Sequence, residues 1–199
     1  MEISAKDVKA LRDATGAGMM DCKEALAASG GDFEKAVVWL REKGIASSAK
    51  REDRTAKEGA ITAYVHMNGK YGVLAEINCE TDFVARGEAF QALCKDLCLH
   101  ICSANPKWVR REDVPQSVLD GELEIYKKQA AETGKPAAVC DKIAQGKLTK
   151  WIQQVCLLDQ PFVKDPNITI DQLVRELSGK LGEKIIVRRF VRWERGEGF

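Results

Sequence analysis

The sequence predicts an α+β fold in which a small three-helix module is followed by a small antiparallel sheet packed with helices. Four features of the sequence pattern indicate it. Apolar residues recur at helical spacing up to about residue 44, and they alternate one by one on both sides of Asn68 and Gly69. Helical spacing returns over about 86–155, and a stretch rich in β-branched and aromatic residues at 184–193 adds a final strand.

The first 44 residues predict three short helices that form a compact module, of a size that often serves as a docking unit. Ser4 caps the first helix, which ends at the glycine turn 15–18. The second helix runs over about 19–28. Asp32 caps the third helix, and we expect Gly44 to end it.

A change of composition marks the predicted domain boundary. Residues 45–57 contain few apolar side chains and charges of both signs, which is typical of a linker. We therefore expect three parts: a three-helix partner-docking module over 1–44, a linker over 45–57, and an α+β core over 58–199.

A hairpin is predicted directly after the linker. Apolar residues alternate over about 59–67 and again over 71–79, with Asn68 and Gly69 between the two runs. This arrangement is the strongest short-range signal for two antiparallel strands. The remaining expected elements are helices at about 86–103, 115–131 and 137–155, the last of which can break at Gly146, an extended stretch at 160–163, a helix at 171–181 and a strand at 184–193.

Composition and charge exclude several classes of protein. Of the 199 residues, 45% are hydrophobic, and 31 Lys and Arg residues balance 30 Asp and Glu residues. The longest apolar run, Ala36–Leu40, is far shorter than the ~20 residues that span a bilayer, so no membrane association is expected. The near-neutral balance is not typical of a protein that binds nucleic acid with its whole surface. The N-terminal residues lack the pattern of a signal peptide, so we expect a cytoplasmic protein.

The cysteines favour a structural interpretation over a metal site. The chain has seven cysteines, an odd number without a Cys-x-x-Cys pair, so free thiols are expected. Cys94, Cys98 and Cys102 repeat every four residues within an apolar helical pattern, where cysteine acts as a small core side chain. Ligands on one face of one helix do not surround a metal tetrahedrally. We therefore expect no metal and no cofactor.

The residues offer no catalytic constellation. His66 and His100 are the two histidines, and no Ser/His/Asp array can be assembled from them, so the chain is not expected to be an enzyme. His100 lies within a predicted helix, at its surface or boundary, whereas His66 ends the first strand, where a binding contact fits. Gly16 and Gly18 resemble a phosphate loop only superficially, because no strand precedes them and no Lys-Ser/Thr pair follows.

Two short motifs have both a structural and a functional interpretation. Met19 and Met20 point about 100° apart on a helix and cannot both face one core, so either at least one is exposed on an adaptable partner surface or both are partly buried in the module. The Thr81–Val84 motif lies between a strand and a helix. Either its first residues cap the helix while Phe83 packs as a hydrophobic staple, which the residues alone favour, or Phe83 is a wedge that enters a cleft of a partner.

The last predicted strand is basic. Five Lys and Arg residues between Lys184 and Arg195 are interleaved with Phe190 and Trp193, a pattern that can bind nucleic acid. In a chain that is neutral overall, a strand whose arginines are solvated or paired with acidic residues is the favoured interpretation.

Two unbroken segments resemble a known family. Residues 11–26 are similar to the N-terminal signature of bacterial translation elongation factor Ts, and residues 76–86 are similar to its second signature, in the order of that family. Residues 160–163 and 188–198 also resemble its C-terminal core. At 199 residues the chain is similar to the short form of the family, with a single core unit.

The resemblance implies a guanine-nucleotide exchange factor for the GTPase elongation factor Tu. Such a factor binds the GDP-bound and nucleotide-free GTPase, disturbs its magnesium site, and promotes GDP release and exchange for GTP. The N-terminal module would then have a ubiquitin-associated-like fold that docks on the G domain, and the short form implies a homodimer joined through the core. The positions implied in partner binding are Arg12, Met19, Met20, Lys23 and His66. Those implied in dislocating the partner's magnesium are Thr81, Asp82, Phe83 and Val84.

An alternative of another class remains open. The three-helix N-terminus and the Arg-rich last strand would together suit a nucleic-acid-binding module. The family resemblance, in contrast, implies no direct contact with nucleic acid.

Overall fold

The computed structural model describes residues 3–49 and 51–198, and it has the predicted α+β fold. The elements of these residues are α1 Ala5–Thr15, α2 Met19–Ala28, α3 Phe33–Ala49, β1 Glu58–His66, β2 Tyr71–Cys79, α4 Asp82–Arg86, α5 Glu88–Ala104, α6 Gln116–Ala131, α7 Ala137–Val155, β3 Pro161–Phe162, β4 Asp165–Thr169, α8 Ile170–Leu181 and β5 Ile186–Glu194. Within them, no helix is long and apolar enough to cross a membrane.

The chain folds into two compact units. The first unit contains the residues up to 60 together with 77–94 and 172–186. The second unit contains 61–76, 95–171 and the residues from 187 onwards. The first unit therefore combines the N-terminal helices with α4, while the second combines most of the hairpin and of β5 with α6 and α7.

The three-helix module of the first unit closely matches its prediction at α1 and α2. The Ser4 hydroxyl accepts a hydrogen bond from the Asp7 N–H, and Gly16 ends α1 in the left-handed conformation with φ of 68°. These are local signals, so the sequence alone locates both ends of α1. The fully buried centre of the module is formed by Leu11, Cys22, Ala25, Leu26 and Ala36.

The predicted end of the third helix at Gly44 is wrong, because α3 continues to Ala49. Gly44 is instead a point of close approach between α3 and α8. A Cβ atom on Gly179 would lie only 2.6 Å from the Gly44 Cα, and Arg41 Nε lies 2.6 Å from Glu176 Oε1 on the same pair of helices. Glycine is therefore used here for packing rather than for termination.

The hairpin is confirmed where the sequence predicts it. The three-stranded sheet has the order β1-β2-β5, and Lys70 N–H donates to the His66 carbonyl across the turn at 3.1 Å. Asn68 and Gly69 both have positive φ, 54° and 82°, which these two residue types tolerate better than most.

The alternating apolar residues of β1 lie on the exposed side of the sheet in the second unit. Ile61 and Val65 are 66% and 68% exposed, whereas Thr62 lies on the covered face, where its carbonyl accepts from the Cys98 thiol of α5. Alternation normally directs apolar residues to the core. We call this surface the outer sheet face; its large apolar side chains are Ile61, Val65, Leu74, Val191 and Trp193.

The α5 cysteines are core residues, as predicted. Cys94, Cys98 and Cys102 are all buried, and burial raises the pKa of the Cys102 thiol. Among the described residues no group of three His, Cys, Asp or Glu side chains is placed to hold a metal ion.

The prediction of His100 at the surface is wrong. The ring is 1% exposed, its Nε2 lies 2.9 Å from Gln160 Oε1, and its Nδ1 accepts from the Val163 N–H at 3.2 Å. Nδ1 is therefore unprotonated and Nε2 carries the proton, and burial lowers the pKa of His100. The short strand β4 was also not expected, because its residues, Asp165–Thr169, have the composition of a turn.

Replacement of glycine by alanine should change the free energy of unfolding in opposite directions at two helical glycines. Gly146 lies within the unbroken α7, and a Cβ there meets nothing within 4 Å, so Gly146→Ala should raise the free energy of unfolding by ~0.5–1 kcal/mol. Gly179→Ala should lower it by ~1–3 kcal/mol, because the methyl group overlaps the Gly44 backbone. Urea unfolding of both variants measures the two signs, and a stabilised Gly179→Ala would contradict the close approach of α3 and α8.

Candidate functional site

The Thr81–Val84 motif forms a corner at the point where β2 ends and the short helix α4 begins. Thr81 is the N-cap of α4: its backbone is extended, and its hydroxyl accepts a hydrogen bond from the Val84 N–H at 3.3 Å. Threonine suits this position because its side chain replaces a missing helical partner of the first turn.

Phe83 points into solvent. Its side chain is 83% exposed, whereas Val84 and Ala85 are only 9% and 7% exposed. The hydrophobic-staple interpretation is therefore wrong, because a staple requires the ring to pack against the helix. Val84 anchors the corner in the first unit, and Phe83 is presented beside it.

Asp82 is an exposed carboxylate directly before this ring. Asp82 Oδ2 pairs with Arg86 Nη2 at 2.9 Å, and the two side chains are 62% and 81% exposed. Water screens such a pair, so it contributes little to stability and leaves the carboxylate accessible to a partner. The corner thus presents an aromatic ring and a negative charge side by side.

A residue far away in the sequence holds the corner in place. The Glu183 carboxylate accepts hydrogen bonds from the Glu80 N–H at 3.1 Å, the Thr81 N–H at 3.0 Å and the Thr81 hydroxyl at 2.6 Å. Sequence reasoning missed Glu183, because nothing in its local pattern indicates a contact 102 residues away.

The predicted docking residues of the N-terminal module lie on both sides of the turn between α1 and α2. Met19 and Met20 are 42% and 76% exposed, so the pair lies at the surface rather than in the core. Arg12 and Lys23 are exposed on the two flanking helices. The two cations on α1 and α2, together with the two flexible apolar side chains at the start of α2, are of the residue types suited to protein binding.

His66 lies in the second unit, at the end of β1. Its ring is partly buried and stacks on Tyr64 with 5.7 Å between centroids, and the Tyr64 hydroxyl lies 2.9 Å from His66 Nδ1. The contact fixes the ring orientation beside the hairpin turn.

Several basic residues of the last strand are engaged within the chain. Arg189 Nε pairs with Glu76 Oε2 at 2.7 Å, and Arg192 Nε donates to the Cys102 carbonyl. The Lys184 ammonium, just before the strand, donates to the carbonyls of Glu52 and Arg54. This arrangement favours the paired interpretation over a nucleic-acid surface.

The model of the family described as Elongation factor TS matches residues 31–197. The chain belongs to the elongation factor Ts family. It is 54% identical over 196 residues to an elongation factor Ts from Caldanaerobacter subterraneus subsp. tengcongensis, with 98% of each chain covered. It is also 55% identical over 197 residues to that of an Anaeromyxobacter species, covering 99% of this chain and 90% of the relative. Both the corner and the outer sheet face lie within the part matched by the family model.

Truncation of the exposed ring should hardly affect stability. Phe83→Ala should lower the free energy of unfolding by less than ~0.5–1 kcal/mol, because the ring is 83% exposed. The matched control is Phe90→Ala in α5, where the ring is 0% exposed and the loss should reach ~3–5 kcal/mol. Denaturant unfolding of the two variants checks this, and equal losses would restore the staple interpretation.

Proposed function

We propose that this chain is a guanine-nucleotide exchange factor that acts on elongation factor Tu in translation elongation, in the cytoplasm, without covalent chemistry of its own. The single observation that carries the proposal is the exposed Phe83 ring on an anchored corner, in a chain of the elongation factor Ts family. A large apolar side chain that the fold keeps in water is suited to burial in a partner.

Docking is assigned to the N-terminal module. Arg12, Met19, Met20 and Lys23 contact the G domain of the GDP-bound or nucleotide-free GTPase, and His66 contributes a further contact from the second unit. The exposed methionines adapt their shape to the partner surface, and the cations strengthen the encounter with an acidic one. We propose the same division as the sequence predicts, into a docking module at 1–44, a linker at 45–57 whose first residues continue α3, and an α+β core and dimerisation domain at 58–199.

Nucleotide release is assigned to the Thr81–Val84 corner. Burial of a phenylalanine side chain contributes ~1.5–3 kcal/mol, so Phe83 can hold open a gap between helices of the partner when it enters. The magnesium ion of the partner requires near-ideal octahedral geometry, so a small displacement of its surroundings weakens its binding. Asp82 approaches the metal region, while Thr81 and Val84 keep the corner in shape. GDP then dissociates faster.

Linkage makes the effect reciprocal. An exchange factor that lowers the affinity of the GTPase for nucleotide is itself bound with lower affinity once nucleotide has bound. The two affinities fall by the same ratio. GTP, the more abundant nucleotide in the cytosol, therefore displaces the exchange factor and completes the exchange.

We further propose that two copies form a homodimer through the outer sheet face. Five large apolar side chains of that face are exposed, with the Arg189–Glu76 ion pair on the same side of the sheet. Contiguous exposed apolar side chains mark interaction surfaces, and a twofold interface places β5 and the hairpin of one copy against the same patch of the other.

GDP release from purified elongation factor Tu tests the exchange function. Addition of the chain should accelerate release of a fluorescent GDP analogue, and Phe83→Ala should remove most of the acceleration. Asp82→Ala should slow release chiefly when Mg²⁺ is in excess. Arg86→Ala is the matched control: it removes the exposed Arg86–Asp82 pair but retains the carboxylate, so it should exchange normally. Unaltered release on addition of the wild-type chain would refute the function, and a magnesium-independent Asp82→Ala defect would remove only the metal role.

Light scattering at micromolar concentration tests the dimer. The wild-type chain should have the mass of two copies, and Val65→Asp should give a monomer, because a buried unpaired charge opposes association. Val38→Asp places the same charge on another exposed valine, 54% exposed and in α3, and should remain dimeric. A monomeric wild type, or equal masses for the two variants, would contradict the assignment.

A further inference from the structure

The direction of the Phe83 ring depends on a short helix that cannot fix its own orientation. α4 has five residues, and an isolated helix of that length is not stable in water. We propose that Glu183 is the positioning residue of the corner: its carboxylate fixes the backbone at Glu80 and Thr81 and thereby sets where Phe83 points. The inference rests on the proposed exchange function, and it assigns a role to a residue outside the Thr81–Val84 motif.

Both oxygens of the Glu183 carboxylate are used. Oε2 accepts from two consecutive backbone N–H groups, those of Glu80 and Thr81, and Oε1 accepts from the Thr81 hydroxyl. Hydrogen bonds to an ionised acceptor are about twice as strong as neutral ones. Two consecutive peptide groups tied to one oxygen leave the chain little freedom to rotate as it enters α4.

The Thr81 hydroxyl transmits this constraint to the helix. It has a single proton, which it donates to Glu183, so its lone pairs are left to accept from the Val84 N–H at 3.3 Å. The same hydroxyl therefore binds the anchor on one side and caps α4 on the other. Glu183 thus acts on Phe83 through Thr81 and the first turn of the helix.

A second set of hydrogen bonds runs in the reverse direction. The Glu80 carboxylate accepts from the Lys184 N–H at 2.6 Å and pairs with Arg54 Nη1 at 3.3 Å. The hydrogen bond from the Lys184 N–H is the main cause of a pKa of Glu80 below its ordinary value. This carboxylate is therefore ionised at neutral pH. Residues 80–81 and 183–184 therefore hold each other, and loss of one partner loosens the corner without removal of any group that contacts elongation factor Tu.

If Glu183 positions Phe83, its loss should change the rate of catalysed GDP release. A displacement of ~1 Å in a group that acts on a reacting centre can reduce a rate by up to ~100-fold. Glu183→Ala should lower the maximal rate of catalysed GDP release by roughly 10-fold or more on that basis. The concentration of the chain that gives half of the maximal rate should change little, since Arg12, Met19, Met20 and Lys23 are untouched.

The experiment combines a local probe with a double-mutant cycle in the full-length chain. Amide hydrogen exchange followed by NMR should be faster at Glu80 and Thr81 in Glu183→Ala, and Glu183→Gln should restore part of both the protection and the rate, because its amide oxygen still accepts. Glu124→Ala, which removes an exposed α6 carboxylate paired with Lys128, is the control and should change neither readout. If Glu183→Ala does not fold, Glu183→Gln is measured in its place, with smaller effects in the same direction.

The cycle with Phe83→Ala separates positioning from other roles. If Glu183 acts through Phe83, Glu183→Ala should have no further effect on the rate in the Phe83→Ala background. Additive losses, unchanged protection at Glu80 and Thr81, or a normal rate despite lost protection would each overturn the inference. If Phe83→Ala alone exchanges as fast as the wild type, the proposed wedge fails, and with it the role of Glu183 in exchange, whereas the amide protection still reports whether Glu183 holds the corner.

Discussion

Three hydrogen bonds to the Glu183 carboxylate fix the direction of the chain where β2 gives way to α4. The role proposed for Phe83 requires these hydrogen bonds, because a five-residue helix alone cannot hold the ring in one orientation. A charged acceptor is well suited to the task because it satisfies several donors at once and holds them strongly. The backbone of a four-residue motif is therefore held by a residue 102 positions away from Thr81.

Within the corner, neighbouring residues have different tasks because a helix turns by about 100° from one residue to the next. Val84 and Ala85 are buried and attach the corner to the first unit, whereas Asp82 and Phe83 are turned to water. The fold thus gains little from the Phe83 ring, and its burial free energy remains available for a partner. Met20 and the apolar side chains of the outer sheet face are likewise exposed in the isolated chain, so their burial free energy is also available for a partner.

Local signals allowed much of this fold to be predicted. The cap at Ser4, the left-handed Gly16 and the turn at Asn68 and Gly69 depend on a few adjacent residues, and all three lie where the sequence places them. The motif at the corner was also found from the sequence, although its residues alone favoured the staple. A capping motif describes the backbone and leaves open which way the next ring points.

The wrong predictions concern positions whose structure is decided by contacts with residues far away in the sequence. Gly44 has the composition of a helix end, but Gly179 makes it a packing position. The alternation over about 59–67 correctly predicts β1 but makes no prediction of which face is covered, because a period of two does not decide it. His100 is buried because Gln160 and the Val163 N–H satisfy both ring nitrogens, and neither partner is near it in sequence. Glu183 was missed for the same reason.

The proposed exchange mechanism requires that Phe83 is in water in the free chain and enters elongation factor Tu on binding. Its most direct test is ¹⁹F NMR of the chain labelled with 4-fluorophenylalanine, with the Phe83 resonance assigned by its absence in Phe83→Tyr. We expect a large difference in chemical shift between H2O and D2O for the free chain, where the ring is 83% exposed, and loss of that difference in the nucleotide-free complex. A Phe83 resonance that is equally sensitive to the solvent in the complex would show that the ring stays in water, and would contradict its proposed role as a wedge.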